Sequence, residues 1–542
     1  MAEDPRLRIA PGLLFTVDTD GTPRVWQPRR REYTPLPPEL LALLLQFADG
    51  RTVADAAERA ALELDDSVRE AVAALLAREL LQPAVTITIP PRPAGTARAR
   101  IARLVDRDSF VARAEGPIVT GLARIDDRPI AIAAWEPGAE DGIDDVLRLQ
   151  EHVLAEPCPL IYVLDLFSIG RRAADFIGAR AIGRVYANQA RLSGVAPQLA
   201  IVEGALWRPS ALLPVGCDAV IFVDGAGFVH IADSELVKEL TGEQVSPDAL
   251  GGARVHAELS GLGHLVAPSS VMAAALARRY LAFMPPHAQA PLPVTGAAPP
   301  PAMSPEALDA LVPSDADTPF AIADLIRALG DEGSPLELRP RYARELSTTL
   351  ARIEGIPVGI VANCSQHKAG ILATESSDKA ARFITLCDAY GLPLIFLVDV
   401  LGFAIGSAAE RSGIERAAGR VFQAIVAASV PKLTVAVRRA HTAGLFAMAG
   451  PAFDPDAFFA LPSASLSVMS ERARVPGAAG LERVLGPEAR ASLRAYLRDS
   501  RVPPEAIAEH VVPASQIRRV LAATLRDRLA APRPRARRWI PS

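Results

Sequence analysis

Two apolar stretches that each end in aspartate constrain the fold of this chain more than any other feature. Residues 158–165 read CPLIYVLD and residues 392–399 read LPLIFLVD. A hairpin pattern stands upstream of each: GLARIDDRPIAIAA at 121–134 and RIEGIPVGIVAN at 352–363. Downstream, PQLAIVEG at 197–204 matches PKLTVAVR at 431–438. A repeat offset by about 235 residues marks a duplicated unit. Strands that are apolar on both faces and lie between helices belong to sheets covered on both sides. The chain is therefore read as α/β, with two tandem halves.

At 542 residues the chain is too long for one core. Half of it is hydrophobic and 22% is charged, the balance of a globular protein. The 58 basic and 62 acidic residues leave a net charge of −4, so nothing points to nucleic acid. Cys158, Cys217, Cys364 and Cys387 lie far apart in apolar segments, as buried, reduced thiols do. The first residues show no signal pattern, and no run approaches the roughly 20 apolar residues that span a bilayer. A cytoplasmic protein without a membrane segment is expected. His256, His264, His367 and His441 do not fall at metal-ligand spacing, so no metal site is expected.

Proline-rich breaks at 90–95 and 285–305 divide the chain. The expected domains are 1–86, a linker at 87–96, 97–284, a proline-rich linker at 285–304, and 305–535. The basic tail beyond reads as solvated. Within 1–86, short strands around 13–26 precede three helices. One begins at a proline near residue 37, the next at Thr52 as N-cap, and the third runs from about 65. A β-ribbon with three helices resembles a small winged-helix α+β module, of the kind that serves as a recognition element in ribosomal-peptide (RiPP) natural product biosynthesis. The same leucine spacing equally describes a structural or docking appendage.

The segments SSDKAARF at 376–383, VDVLGF at 398–403, VPKLTV at 430–435 and AHTAG at 440–444 carry a family resemblance. Together they resemble the carboxyltransferase (beta) subunits of biotin-dependent acyl-CoA carboxylases, of the propionyl- and acetyl-CoA carboxylase type. The resemblance covers roughly residues 97–535. It implies two crotonase-like (ββα superhelix) domains in tandem and a homodimer or higher homo-oligomer with active sites between chains. It also implies an acyl-CoA thioester substrate and a biotin carboxylase or carrier subunit as partner. In that family, carboxybiotin releases CO2, its ureido nitrogen takes the α-proton of the acyl-CoA, and the enolate attacks the CO2. The two developing oxyanions are met by backbone N–H pairs at helix N-termini rather than by acid or base side chains.

By this resemblance the donor pair of the second half falls on Ala443 and Gly444. His441 beside them would act as acid or base, or only stack. Asp399, Gly402, Phe403 and Glu410 would line the substrate. In the first half, the family's glycine-rich donor loop falls on Trp207, Arg208 and Pro209, and proline has no N–H to give. The other glycine loop falls on 165–173, which retains Gly170 beside Arg171 and Arg172. Arg171, Arg172, Arg208, Arg438 and Arg439 are candidates for holding an anion. Residues 236–256 resemble a segment beside the acyl-CoA site. At 469–474 both family glycines are replaced, which counts against biotin held as the family holds it.

The resulting expectation is an enzyme, a transferase or ligase component. It would carry out carboxyl transfer or decarboxylation on an acyl thioester, in specialised metabolism. Two alternatives stay open: a non-carboxylating acyltransfer or condensation enzyme that binds a peptide or carrier protein through its N-terminal module, and a pseudoenzyme partner of an intact carboxyltransferase.

Overall fold

The computed structural model describes residues 7–9, 13–17, 22–27, 32–47, 52–60, 62–83, 95–139, 142–165, 175–315, 318–467, 485–498, 502–530 and 540. The chain divides into two compact units. One comprises residues 1–90, 169–179 and 232–246, and the other holds both repeated halves.

In the smaller unit a three-stranded antiparallel meander (Leu14–Val17, Pro23–Gln27, Glu32–Pro35) is followed by helices Pro38–Leu45, Val53–Arg59 and Asp66–Ala77. The Thr52 side chain accepts the Asp55 N–H at 3.2 Å, capping the second helix. A two-stranded pairing of Leu7–Ile9 with Leu81–Pro83 completes the unit around Val25, Leu36, Leu44, Phe47 and Leu75. Helix Ser234–Thr241 belongs here too, and Gln82 donates to Glu239 at 2.8 Å.

The first half of the larger unit runs α1 (Ala97–Leu104), β1 (Val111–Glu115), β2 (Ile118–Ile125), β3 (Arg128–Trp135), α2 (Ile143–Ala155), β4 (Leu160–Leu164), α3 (Asp175–Leu192), β5 (Gln198–Val202), β6 (Ala219–Val223), β7 (Leu265–Ala267) and α4 (Ser270–Leu281). Its strands form one seven-stranded sheet in the order β7-β6-β5-β4-β3-β2-β1. The second half repeats this with β8 (Leu336–Leu338), β9 (Leu346–Ile353), β10 (Ile356–Asn363), α5 (Thr374–Tyr390), β11 (Leu394–Val400), α6 (Ser407–Ser412), α7 (Ile414–Ala427), β12 (Lys432–His441), α8 (Thr442–Phe446), β13 (Ala457–Ala460), β14 (His510–Val511) and α9 (Ala514–Ala530). Its sheet runs β8 to β14 in order, with Ser465–Ser467 also pairing β12. In both halves an antiparallel hairpin opens the sheet and parallel crossovers extend it. Every residue of β4, β5, β6, β11 and β12 is buried, as continuous apolar strands require.

The two hairpin turns are built alike. Asp126 and Asp127 have φ of 50° and 61°, and Glu354 and Gly355 have 51° and 79°. Left-handed pairs of this kind match the twist of the flanking strands. Each turn is held by a carboxylate and an arginine. Asp106 accepts the Asp126 and Asp127 amides and pairs with Arg278 of α4. Asp331 accepts the Glu354 and Gly355 amides at 2.8 Å each and pairs with Arg518 of α9.

One apolar core runs through both halves, from Ile132, Ile161 and Ile201 to Phe383, Ile384 and Leu394. Polar contacts cross it. Arg382 donates to the Cys217 carbonyl at 2.8 Å, and the Tyr390 hydroxyl donates to Asp218 at 2.6 Å. The solvated reading of the tail fails at Ile540, which is buried in this core with its N–H on Ser193 Oγ at 2.9 Å. The four cysteines are free, and burial raises their thiols above the usual range, that of Cys158 to about 11.

Burial lifts the Asp218 carboxyl from 3.8 to about 6, against the Tyr390 and Gln198 hydrogen bonds that favour its ionised form. Because the folded value lies above the ordinary one, its contribution to stability is complete below pH 3.8 and is lost as pH rises through about 6. Two units correspond to about 3 kcal/mol. Asp218→Asn should therefore lose less stability between pH 5 and pH 8 than the unchanged protein does, by urea unfolding. An identical pH dependence in the two proteins would refute this.

Candidate active site

The parallel neighbours β11 and β12 bring Asp399, His441 and the start of α8 together at one end of the second sheet. Their register shifts between Val398 and Val400, so Val398 faces Ala436 but Val400 faces Ala440. A regular strand sends consecutive side chains to opposite faces. The irregularity instead lets two adjacent arginines reach one carboxylate. Asp399 Oδ2 accepts from Arg438 Nη2 at 2.7 Å, and Oδ1 from Arg439 Nε at 2.8 Å. Arg438 also donates to the Asp315 and Thr318 carbonyls and lies 4.6 Å from the Phe320 ring centroid. Arg439 donates to the Ala369 carbonyl at 3.1 Å.

Asp399 is 0% exposed, so it ties strand ends and loops together without presenting a face to substrate. Arg438 and Arg439, candidates for an anion from sequence, are spent on Asp399 and backbone carbonyls. The strand pattern hid this, because nothing in it marks the break in register.

The small residues have a steric cause. A Cβ on Gly444 would meet Val400 Cγ1 at 2.7 Å and Gly402 Cα at 3.0 Å. Gly402 itself has φ of 133°, where other residues are strained. Thus α8 starts directly against the 400–402 segment. Ala443 is exposed and Gly444 buried, and both stand in the first turn of α8, where backbone amides have no acceptor inside the helix.

His441 is buried, with Nδ1 3.3 Å from the Leu401 carbonyl. Phe403 meets Phe422 edge-on at 6.1 Å. Beyond it Ile405 is 92% exposed, and Glu410 lies in the open on α6. Its hydrogen bond with Glu415 raises the Glu410 carboxyl and lowers that of Glu415.

The first half meets the same problem with different residues. Asp165, at the end of β4, pairs with Arg100 of α1 at 2.5 Å, and Arg100 Nε lies 3.1 Å from Glu203. Burial raises the Glu203 carboxyl, and Arg100 opposes the shift. A Cβ on Gly204 would strike Asp165 Oδ1 at 1.9 Å, so the glycine makes room for the carboxylate. Sequence reading missed Arg100 and Glu203; the only signal was that both repeated strands end in aspartate.

Trp207 closes strand Ala205–Trp207, 7% exposed and stacked on His230 at 6.0 Å. Arg208 opens the 3-10 turn Arg208–Leu212. Gly170, Arg171 and residues 469–474 lie outside the described residues. A cavity of about 830 Å³ opens between α3 and α7, and none of its lining residues belongs to the strand-end site. Among the described residues no group of three or more His, Cys, Asp or Glu could hold a metal, and no helix is long and apolar enough to cross a membrane.

Residues 140–476 match the family described as carboxyl transferase domain. The chain is 37% identical over 429 residues to the uncharacterized carboxylase YngE of Bacillus subtilis (strain 168), covering 76% of this chain and 83% of that protein. It is 33% identical over 386 residues to the methylmalonyl-CoA carboxyltransferase 12S subunit of Propionibacterium freudenreichii subsp. shermanii, covering 69% and 72%. A crystal structure of transcarboxylase 12S, a hexamer with methylmalonyl-coenzyme A and methylmalonic acid bound, superposes with a TM-score of 0.74 at 29% identity. That match covers 81% of this chain and 91% of the solved one.

Asp399→Ala would leave two guanidinium groups buried without their carboxylate, at a cost of about 3–5 kcal/mol. Exposed Glu410→Gln should stay within about 0.5 kcal/mol. Urea unfolding of the two variants checks the contrast, and equal stabilities would show that Asp399 does not hold the strand ends.

Proposed function

This chain belongs to the carboxyl transferase family, with crotonase-like α/β halves, and we propose that it moves a carboxyl group to or from the α-carbon of an acyl-CoA. The observation that carries this reading is the start of α8. There Ala443 is exposed in a first helical turn whose backbone amides have no acceptor inside the helix, beside the open space at Gly402.

The residues fit a ureido oxygen, because Gly402 leaves open space beside the helix start and the first-turn amides carry the positive end of the helix dipole. Biotin, brought by a partner subunit, would supply the carboxyl carrier. The chain's own part is to donate hydrogen bonds from Ala443 and Gly444 where negative charge develops. His441 keeps the Leu401 carbonyl and the segment after it in place. Asp399 acts one step further back, fixing the ends of β11 and β12.

The reading extends to a homo-oligomer with sites between chains, where the exposed Ile405 and the Glu410 helix would meet a partner copy. The N-terminal unit would recognise a peptide or carrier protein, in specialised metabolism. One observation favours a second reading. Pro209 stands in the family's donor loop of the first half without an N–H, as in a pseudoenzyme partner of an intact carboxyltransferase.

Proline is tolerated in the first turn of a helix, so Ala443→Pro removes one donor while preserving the fold. With malonyl-CoA or methylmalonyl-CoA as donor and free biotin as acceptor, the unchanged protein should release the decarboxylated thioester. The variant should be slower by about 10²–10³-fold. Full turnover in a folded Ala443→Pro variant would sink the assignment of the donor, and no turnover in the unchanged protein would favour the pseudoenzyme.

A further inference from the structure

Several cations of this chain touch carboxylates: Arg100 meets Asp165 and Glu203, Arg438 and Arg439 meet Asp399, and Arg518 meets Asp331. In one cluster Arg339 and Lys379 do not. A cavity of about 390 Å³ is lined by Arg339, Lys379, Arg382 and Arg420, with Ser260 and Tyr342 on its wall. Lys379 is 1% exposed and Arg382 8%.

Among the described residues, neither Arg339 nor Lys379 forms an ion pair within 4.0 Å. Lys379 Nζ is held by backbone alone, donating to the Leu346, Tyr342 and Arg339 carbonyls at 2.6, 2.8 and 2.9 Å. The Arg339 Nε is buried with no hydrogen-bond partner. Arg382 is anchored on the Cys217 carbonyl.

The carboxylates that act on the cluster are committed or remote. Asp218, whose charge favours the Arg382 guanidinium, accepts from the Tyr390 hydroxyl and the Gln198 amide. Asp378 is taken by Arg420 Nε at 2.7 Å, and Glu345 faces Lys368 at 3.5 Å. Glu337 acts on Lys379 only through its field. Burial pushes the Lys379 ammonium down to about 8 and Arg339 to about 9, with the neighbouring Arg382 pushing Arg339 further down. A cavity lined by Lys379, Arg339 and Arg382, where Arg339 repels both of the others, is matched by a multiply charged oxyanion.

We propose that this cavity binds a phosphate-class dianion, held by Arg339 and Arg382 within the field of Lys379, which clamps the first half of the chain to the second. The clamping follows from the walls. Val215 and residues 260–262 come from the first half, and Arg339, Tyr342, Lys379 and Arg382 from the second. A tetrahedral oxyanion fills only part of the space, so inorganic phosphate and a phosphate monoester both suit it. The site shares no residue with the start of α8 and does not depend on the catalytic reading.

Thermal unfolding of the full chain in inorganic phosphate, against sodium chloride at equal ionic strength, tests the proposal. A dissociation constant on the order of 1 mM would raise Tm by about 1–2 °C at about 10 mM phosphate. Arg339→Met should weaken the effect by about tenfold or more, and Tyr342→Phe provides a milder second variant, expected to weaken it about threefold, should Arg339→Met not fold. Phenyl phosphate in a parallel series separates the free ion from a monoester, and a shift from either supports the site. No shift beyond the chloride control with either probe overturns the proposal, as does a shift that the folded variants retain in full.

Discussion

A carboxylate withdrawn from water must be met by charge, and the end of the central strand in each half is organised around that demand. Asp399 and Asp165 occupy corresponding positions, each close to fully buried. In the second half two consecutive arginines of the neighbouring strand answer, and a shifted register lets both reach. In the first half one arginine comes from a preceding helix, and Glu203 joins it. Such pairs add little net stability, since desolvation cancels much of the attraction, but losing one partner is expensive. They therefore fix geometry. The start of α8 stands where it does because the strand ends beneath it cannot slide.

The duplicated strands, the hairpins and the buried α/β sheets were legible from sequence because each rests on a period or a turn signal. The Asp126-Asp127 and Glu354-Gly355 turns are local chemistry, and so is the Thr52 cap. Asp399 was noticed, yet its role was not, because the arginines that take it lie forty residues on and depend on a break in strand register. Arg100 was invisible for a plainer reason: its carboxylate partners are 65 residues or more away and nothing local marks it. Side-chain pairing between distant segments is set by packing, which a single sequence does not spell out.

The glycines divide in the same way. Gly402 owes its identity to backbone conformation, whereas Gly204 and Gly444 are small because a carboxylate or a valine occupies the space where a side chain would go. Trp207 marks the contrast between the halves, being packed flat against His230 where the second half has the small residues Ala443 and Gly444. The halves share a scaffold and differ in what their strand ends present.

The matched clamps on the two hairpin turns have a consequence for how the chain is made. Each joins the opening hairpin of a half to that half's final helix, Asp126 to Arg278 across 152 residues and Asp331 to Arg518 across 187. Contacts of such long range cannot form until the later partner has left the ribosome. The first half can close its hairpin while the second is still being synthesised. The second must wait until Arg518, 187 residues after Asp331, has been made, holding its apolar strands without that helix until then.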